Sequence, residues 1–220
     1  MNNIINNDKL VRQTFSVTYT LLLTTGAICF IESLTTKDAK IRHIMNVETA
    51  ISFIAGYFYS VFIKKIENGN INYEEINKTR YVDWMLTTPF MILSLGLVLS
   101  YNLGISFKFS HFMIAIILNF LMLVCGYLGE IGKIDKKYAA IGGFVFFTFL
   151  FLFIYWTYIK DKKSFANLVT YGIFVFIWFL YGVVYLQNEI IKNTIYNILD
   201  LFAKCFFGIG FWAYLVGLFN

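Results

Sequence analysis

An all-α bundle of seven membrane-spanning helices is the fold class this sequence predicts, on three observations. The chain is 59% hydrophobic and only 14% charged over its 220 residues, too apolar for a water-soluble domain. Its apolar residues gather into seven runs, each at or above the roughly 20 residues that cross a bilayer as a helix. The connections between runs are short, which makes consecutive helices antiparallel neighbours in a compact bundle. Residues 1–220 therefore read as one membrane domain whose first partner is the lipid bilayer.

The runs fall at 10–32, 41–66, 79–100, 107–128, 137–159, 164–187 and 190–218, each ending near a charged or Asn/Gly-rich stretch. The first follows a polar tail, Met1 to Lys9, with no basic start and no small-residue cleavage site, so no removable signal peptide is expected. The second contains Glu48 at membrane depth. The longest connection, Glu67 to Lys78, opens with the turn signal Glu67-Asn68-Gly69-Asn70. The third run holds Pro89, the only proline, which removes one backbone hydrogen bond, frees the Met85 carbonyl and predicts a bend. The fourth starts near His111, an interfacial residue by position, and the seventh contains Lys204.

The remaining composition narrows the function classes. Cys29, Cys125 and Cys205 lie inside apolar runs without paired spacing and indicate neither disulfide nor metal. The net charge of +5 sits on short loops at the membrane edges, which argues against nucleic acid as a partner. Basic residues do not fix orientation. With the N-terminus outside, the inner loops hold Lys37, Lys40, Arg42, Lys108, Lys160, Lys162 and Lys163, and the outer side holds nine others.

Ionisable groups at membrane depth are functional candidates by default, and the inventory is short: Glu48, Arg80, Asp83, His111, Asp200 and Lys204. An unpaired charge there costs at least about 2.5 kcal/mol, so Lys204 must be paired, neutralised or consumed in a covalent bond. Asp200 stands four residues earlier on the same helix face. One reading is a structural ion pair; the other is a lysine that carries an aldehyde cofactor, with the carboxylate as counter-ion. One protonated imine, two carboxylates and one arginine sum to zero, so Lys204, Asp83, Asp200 and Arg80 can be buried together. Arg80, Asp83, Thr87 and Ser94 recur at helical steps on one stripe. Alone the stripe could be a packing seam; beside a buried lysine it reads as a proton or ion path.

Two motifs, Arg80-Tyr81-Val82-Asp83-Trp84-Met85-Leu86-Thr87-Thr88-Pro89 and Leu199-Asp200-Leu201-Phe202-Ala203-Lys204, resemble those of the microbial (type 1) rhodopsins, and the resemblance covers the whole chain. It implies all-trans retinal bound covalently to Lys204, an extracellular N-terminus and a cytoplasmic C-terminus. It implies Asp83 as primary counter-ion and proton acceptor, Asp200 as second counter-ion, Arg80 as the gate toward the outer side, and Thr87 as the hydroxyl bonded to Asp83. Trp84 and Trp178 would sandwich the polyene, with Thr88, Tyr181 and Tyr185 nearby and Met122 and Gly126 as the fourth-helix wall. Met122 and Gly143 would tune colour. Tyr57 falls where the family places a tyrosine bonded to the inner counter-ion, and Asn46 shares its face. Glu48, nine positions before Tyr57, then points to nearly the opposite side of its helix, predicting a structural or interface role rather than proton relay.

The departures from the family pattern shape the functional expectation. Ser94 stands where proton pumps place an inner carboxylic donor, Asn119 replaces an acid, Tyr185 and Gly182 replace a tryptophan and a proline, and Lys192 replaces a proton-releasing glutamate. The triplet Asp83, Thr87, Ser94 and the abundance of Asn, Ile, Lys, Phe and Tyr are similar to rhodopsins of giant algal viruses. The leading expectation is a light-driven outward proton pump, not an enzyme, with slow reprotonation past Ser94, Thr88 and Asn46. A light-gated cation channel is the alternative and a sensory photoreceptor a third. A halide pump is disfavoured because Asp83 keeps its carboxylate. The implied partners are protons or monovalent cations and further copies of the chain in a homo-oligomer.

Overall fold

The computed structural model describes residues 2–67, 71–162 and 164–218. Seven helices follow in chain order: α1 Asn2–Thr35, α2 Ala39–Glu67, α3 Tyr73–Asn102, α4 Phe109–Glu130, α5 Lys136–Tyr158, α6 Phe165–Val184 and α7 Glu189–Leu215, the last containing a π-helical turn at Leu201–Phe206. All seven contain a stretch long and apolar enough to cross a membrane, and no strand occurs among the described residues. Consecutive helices pack side by side and α7 closes the ring against α1. The starts of α1, α3, α5 and α7 therefore share one end of the bundle, called here the N-terminal end, and their last turns share the C-terminal end.

Two boundaries differ from expectation. The first helix begins at Asn2 rather than after a polar tail, because a nucleated helix gains a hydrogen bond with each added residue, apolar or not. The third begins at Tyr73, six residues earlier than the hydropathy edge. Asn72 Oδ1 accepts from the Glu75 amide at 3.2 Å, and Glu74 and Glu75 occupy the first turn, where carboxylates complement the helix dipole. Of the turn signal at 67–70, Asn68, Gly69 and Asn70 lie outside the described residues, as do Met1 and Lys163. Pro89 sits inside α3 without ending it.

Three apolar clusters hold the bundle. The largest joins α3 to α5, α6 and α7 through residues such as Trp84, Leu95, Phe151, Phe174 and Trp178. A second packs α1 on α2 through Phe15, Leu22, Tyr59 and Phe62. The third, Cys29, Ile41, Ile44, Met45, Val98, Phe211 and Leu215, fills the C-terminal end between α1, α2, α3 and α7. Lipid tails are as apolar as these side chains, so shape and polar ties must distinguish one helix partner from another. Asn167 of α6 is such a tie: fully buried, its Nδ2 donates to the Leu99 carbonyl of α3 at 3.0 Å, and its Oδ1 accepts from Asn102 at 2.8 Å.

Candidate functional site

Lys204 lies in the π-helical turn of α7 and is 1% exposed. A π turn inserts an extra residue into the helical repeat and is found mostly where function demands it. Lys204 Nζ donates to Asp83 Oδ2 at 2.8 Å and lies 3.4 Å from Asp200 Oδ2. Both carboxylates are fully buried. Asp200 accepts from Tyr59 Oη on α2 (2.8 Å), from Tyr181 Oη on α6 (2.7 Å) and from Arg80 Nη1 at 3.5 Å. The Arg80 guanidinium donates to Asn197 (2.8 Å) and Asn193 (3.3 Å) and faces the Phe62 and Phe15 rings, 5.1 and 5.4 Å from their centroids. Two cations and two carboxylates thus share one buried site with no net formal charge, the condition under which such groups tolerate burial. The four charged residues expected to lie together do so.

Above this cluster opens a cavity walled by α3 to α7. It is lined by the expected Trp84, Thr88, Met122, Gly126, Trp178, Tyr181 and Tyr185, by Gly143, and by Lys204 and Asp200. Its walls are otherwise aromatic, aliphatic or glycine, so the cavity suits a long apolar molecule whose one reactive end meets Lys204. Tyr81 and Tyr196 line it too, which was not foreseen. Asp83 Oδ1 and Trp84 Nε1 are buried without a protein hydrogen-bond partner, leaving polar capacity at the lysine end. Thr88 donates to the Trp84 carbonyl (2.7 Å) and accepts from Asn119 (2.8 Å), pinning α4 to α3. Thr87 differs from expectation. Its hydroxyl bonds the Asp83 main-chain carbonyl at 2.8 Å and not the carboxylate, because the carbonyl four residues back is within reach of a helical threonine.

The second helix is rotated relative to the sequence reading. Tyr57 is 65% exposed on the outer face, and Asn46 is exposed as well. The tyrosine that reaches Asp200 is Tyr59. Two residues turn a helix by about 200°, so only one of the pair can face inward. The buried series Glu48, Ser52, Ala55, Tyr59, Phe62 follows steps of four and three, a stripe legible in the sequence had Tyr57 not been taken as its anchor. With Tyr59 inward, Glu48 is inward too, because eleven residues bring the helix almost back to the same angle. It is 3% exposed and accepts a hydrogen bond from Ser94 Oγ. A lipid-facing or subunit-facing Glu48 is therefore excluded. The half of the bundle beyond Lys204 does contain a carboxylate, supplied by α2 rather than α3.

Toward the N-terminal end lies a second charged group that the sequence reading missed. Lys192, fully buried, bonds Glu130 at 2.8 Å and Glu189 at 2.9 Å. Asn77 Nδ2 donates to both acids, at 2.7 and 2.6 Å, and Asn193 Nδ2 donates to Asn77 Oδ1 at 3.1 Å. Since Arg80 bonds Asn193, an unbroken series of side chains runs from the central charges to this outer group. The spacing Asn193, Asn197, Asp200, Lys204 carries the signal, at steps of four, three and four. His111 packs edge-on to Phe153 near the start of α4, 5.8 Å between centroids, and takes no part in either group.

Comparison with known proteins agrees with this geometry. The sequence profile described as bacteriorhodopsin-like protein matches residues 10–218. Opsin-1 of Neurospora crassa is 32% identical over 157 residues, 62% of this chain and 48% of that protein. A green-light absorbing proteorhodopsin of Gamma-proteobacterium EBAC31A08 is 28% identical over 151 residues, 60% of this chain and 59% of that protein. The matches thus span about half the length of these curated relatives or slightly more. The crystal structure of the viral rhodopsin OLPVRII superposes with a TM-score of 0.90 at 46% identity, covering 96% of this chain and 100% of that one.

The outer ion group generates a stability prediction. Lys192→Ala removes the nearer of the two cations beside Glu130, whose side chain is 5% exposed, and leaves Lys136 at 3.7 Å. It is therefore expected to cost less than about 3–5 kcal/mol, the cost of a wholly uncompensated buried charge, read as a fall in thermal unfolding temperature in mild detergent. Adding Glu130→Gln should recover most of that loss. Equal stability of the single variant and the parent would show that the acid does not depend on Lys192.

Proposed function

The chain belongs to the bacteriorhodopsin-like family of microbial rhodopsins, and from that premise we propose that it is a light-driven outward proton pump with all-trans retinal bound covalently to Lys204. The family implies a retinal chromophore, and seven membrane-crossing helices make this an integral multi-pass membrane protein. Retinal joined to Nζ supplies the light-driven change that lets this nitrogen give up its proton. The residues of the chain do the rest.

The observation that carries the reading is the placement of Lys204 Nζ between two unequal carboxylates. Asp200 has both oxygens engaged by Tyr59 and Tyr181 and is the standing counter-charge. Asp83 has one oxygen on Nζ at 2.8 Å and the other without a partner, so it is the acceptor, and the proton moves along a bond already made. The transfer neutralises Asp83 and Nζ together, which leaves Arg80 with Asp200 as its one charged partner in the cluster and frees it from the pull of Asp83 to act on the series Asn193, Asn77 and the Glu130, Glu189, Lys192 group. The proton therefore leaves through the N-terminal end, taken here as extracellular, with the C-terminus cytoplasmic.

Return of the proton draws on Glu48, held by Ser94 on the opposite side of Lys204. This revises the path expected from sequence: Glu48 and Ser94 belong to it, Tyr57 and Asn46 do not. Trp84, Trp178, Tyr181 and Tyr185, with Thr88, Met122 and Gly126, hold the retinal. The apolar cluster around Ile44, Met45 and Phe211 fills the C-terminal end between the helices, which favours a pump over a light-gated cation channel with a continuous water path. Residues 1–220 act as one domain, assembled with further copies in the bilayer.

Illumination of a cell suspension containing the protein should acidify the medium, and a protonophore should abolish the change. No sustained change, or a current that reverses sign with membrane potential, would replace the pump by a sensor or a channel. Glu48→Gln should slow recovery of the Lys204 proton roughly 100-fold in flash spectroscopy while leaving the first proton transfer to Asp83 intact; recovery at the parent rate would remove Glu48 from the path.

A further inference from the structure

The geometry points to Gly208 as the positioning residue for Glu48: its missing side chain is the seat in which the Glu48 carboxyl rests against α7. This inference builds on the reading of Glu48 as proton donor. Gly208 lies four residues after Lys204, hence one turn further toward the C-terminal end on the same face. Its backbone is ordinary helix, since the positive-φ glycines among the described residues are Gly104, Gly132 and Gly217. Conformation therefore does not require glycine at this position, and glycine weakens a helix relative to alanine. Space favours it. A Cβ there would stand 3.1 Å from Glu48 Oε2 and 2.8 Å from Thr25 Cγ2. Gly210, two residues on, has nothing within 4 Å of the same point, so the crowding is specific to position 208.

The seat gives the Glu48 carboxyl two fixed sides. One oxygen takes the Ser94 hydroxyl of α3, the other lies against the bare turn of α7. These are the helices that carry Asp83 and Lys204, so the carboxyl is located by the same two elements as the reacting groups, although it is anchored on α2. In the return step the Glu48 O–H bond breaks and an N–H bond forms at Lys204 Nζ, leaving a carboxylate that water at the C-terminal end reprotonates. A methyl group at 208 would shift the carboxyl by a few tenths of an ångström and disturb its bond to Ser94.

The test is Gly208→Ala combined with Thr25→Ser, which removes Thr25 Cγ2 so that the new methyl meets the carboxyl alone. Thr25→Ser and Gly210→Ala serve as controls on the retinal-loaded protein in membranes. The double variant should slow recovery of the Lys204 proton by about 3- to 10-fold, sodium azide as a mobile proton carrier should restore it, and the infrared C=O band that Glu48→Gln abolishes should shift. The controls should change neither rate nor band. An unshifted band and parent-like recovery would overturn the inference. If the double variant forms no pigment, adding Glu48→Ala should restore pigment, because the clash is then gone; failure to restore it would also overturn the seat. Should Glu48→Gln itself leave recovery unchanged, the donor reading fails first, and this failure is separate from one in which only the variant at 208 is without effect.

Discussion

The contact between Lys204 Nζ and the Asp83 carboxylate, 2.8 Å long and fully buried, is the constraint that the rest of the bundle serves. Breaking such a pair from one side leaves a charge in a medium that cannot solvate it, at a cost of about 3–5 kcal/mol. The neighbouring groups follow from that. Asp200 supplies the second negative charge, Arg80 the second positive one, and Tyr59 and Tyr181 spend their hydroxyls on the Asp200 oxygens. The π turn that carries Lys204 and the aromatic rings around the Arg80 guanidinium belong to the same solution. Remove any one of the four charges and the other three no longer balance.

The two halves of the bundle on either side of this cluster are built differently. Toward the N-terminal end, Asn197, Asn193 and Asn77 connect Arg80 to Glu130, Glu189 and Lys192 without a break, so displaced charge has polar groups to move along. Toward the C-terminal end, Glu48 and Ser94 are the paired polar groups beneath an apolar cluster that includes Ile44, Met45, Val98 and Phe211, and the other buried polar side chains there, such as Thr25, Ser52 and Ser100, carry no charge. In the proposed pump, the polar half is the exit and the half that holds Glu48 is the entry. The proposed direction rests on this contrast between the halves as much as on any one residue.

The seven spans, the buried lysine and its three charged companions were legible because each depends on a strong local signal: run length for the spans, and isolated charges within apolar sequence for the site. Rotation about a helix axis was harder to read. In α2, tyrosines at 57 and 59 are chemically equal, and choosing Tyr57 turned the whole face, sending Glu48 outward and Asn46 inward. Periodicity alone could have chosen Tyr59, since Glu48, Ser52, Ala55 and Phe62 share its stripe. The outer ion group escaped for another reason. Glu130 and Glu189 lie at helix ends, where acids are common and usually solvated, and only the approach of α4 to α7 shows that they close over Lys192.

The measurement that bears most directly on the central contact is chemical trapping. Retinal-loaded membranes reduced with borohydride under light, digested and analysed by mass spectrometry should carry a retinyl group on the peptide containing Lys204 and on no other lysine. A retinyl group on a different lysine, or none on a coloured protein, would contradict the assignment of Lys204 as the point of attachment and with it the roles given to Asp83 and Asp200.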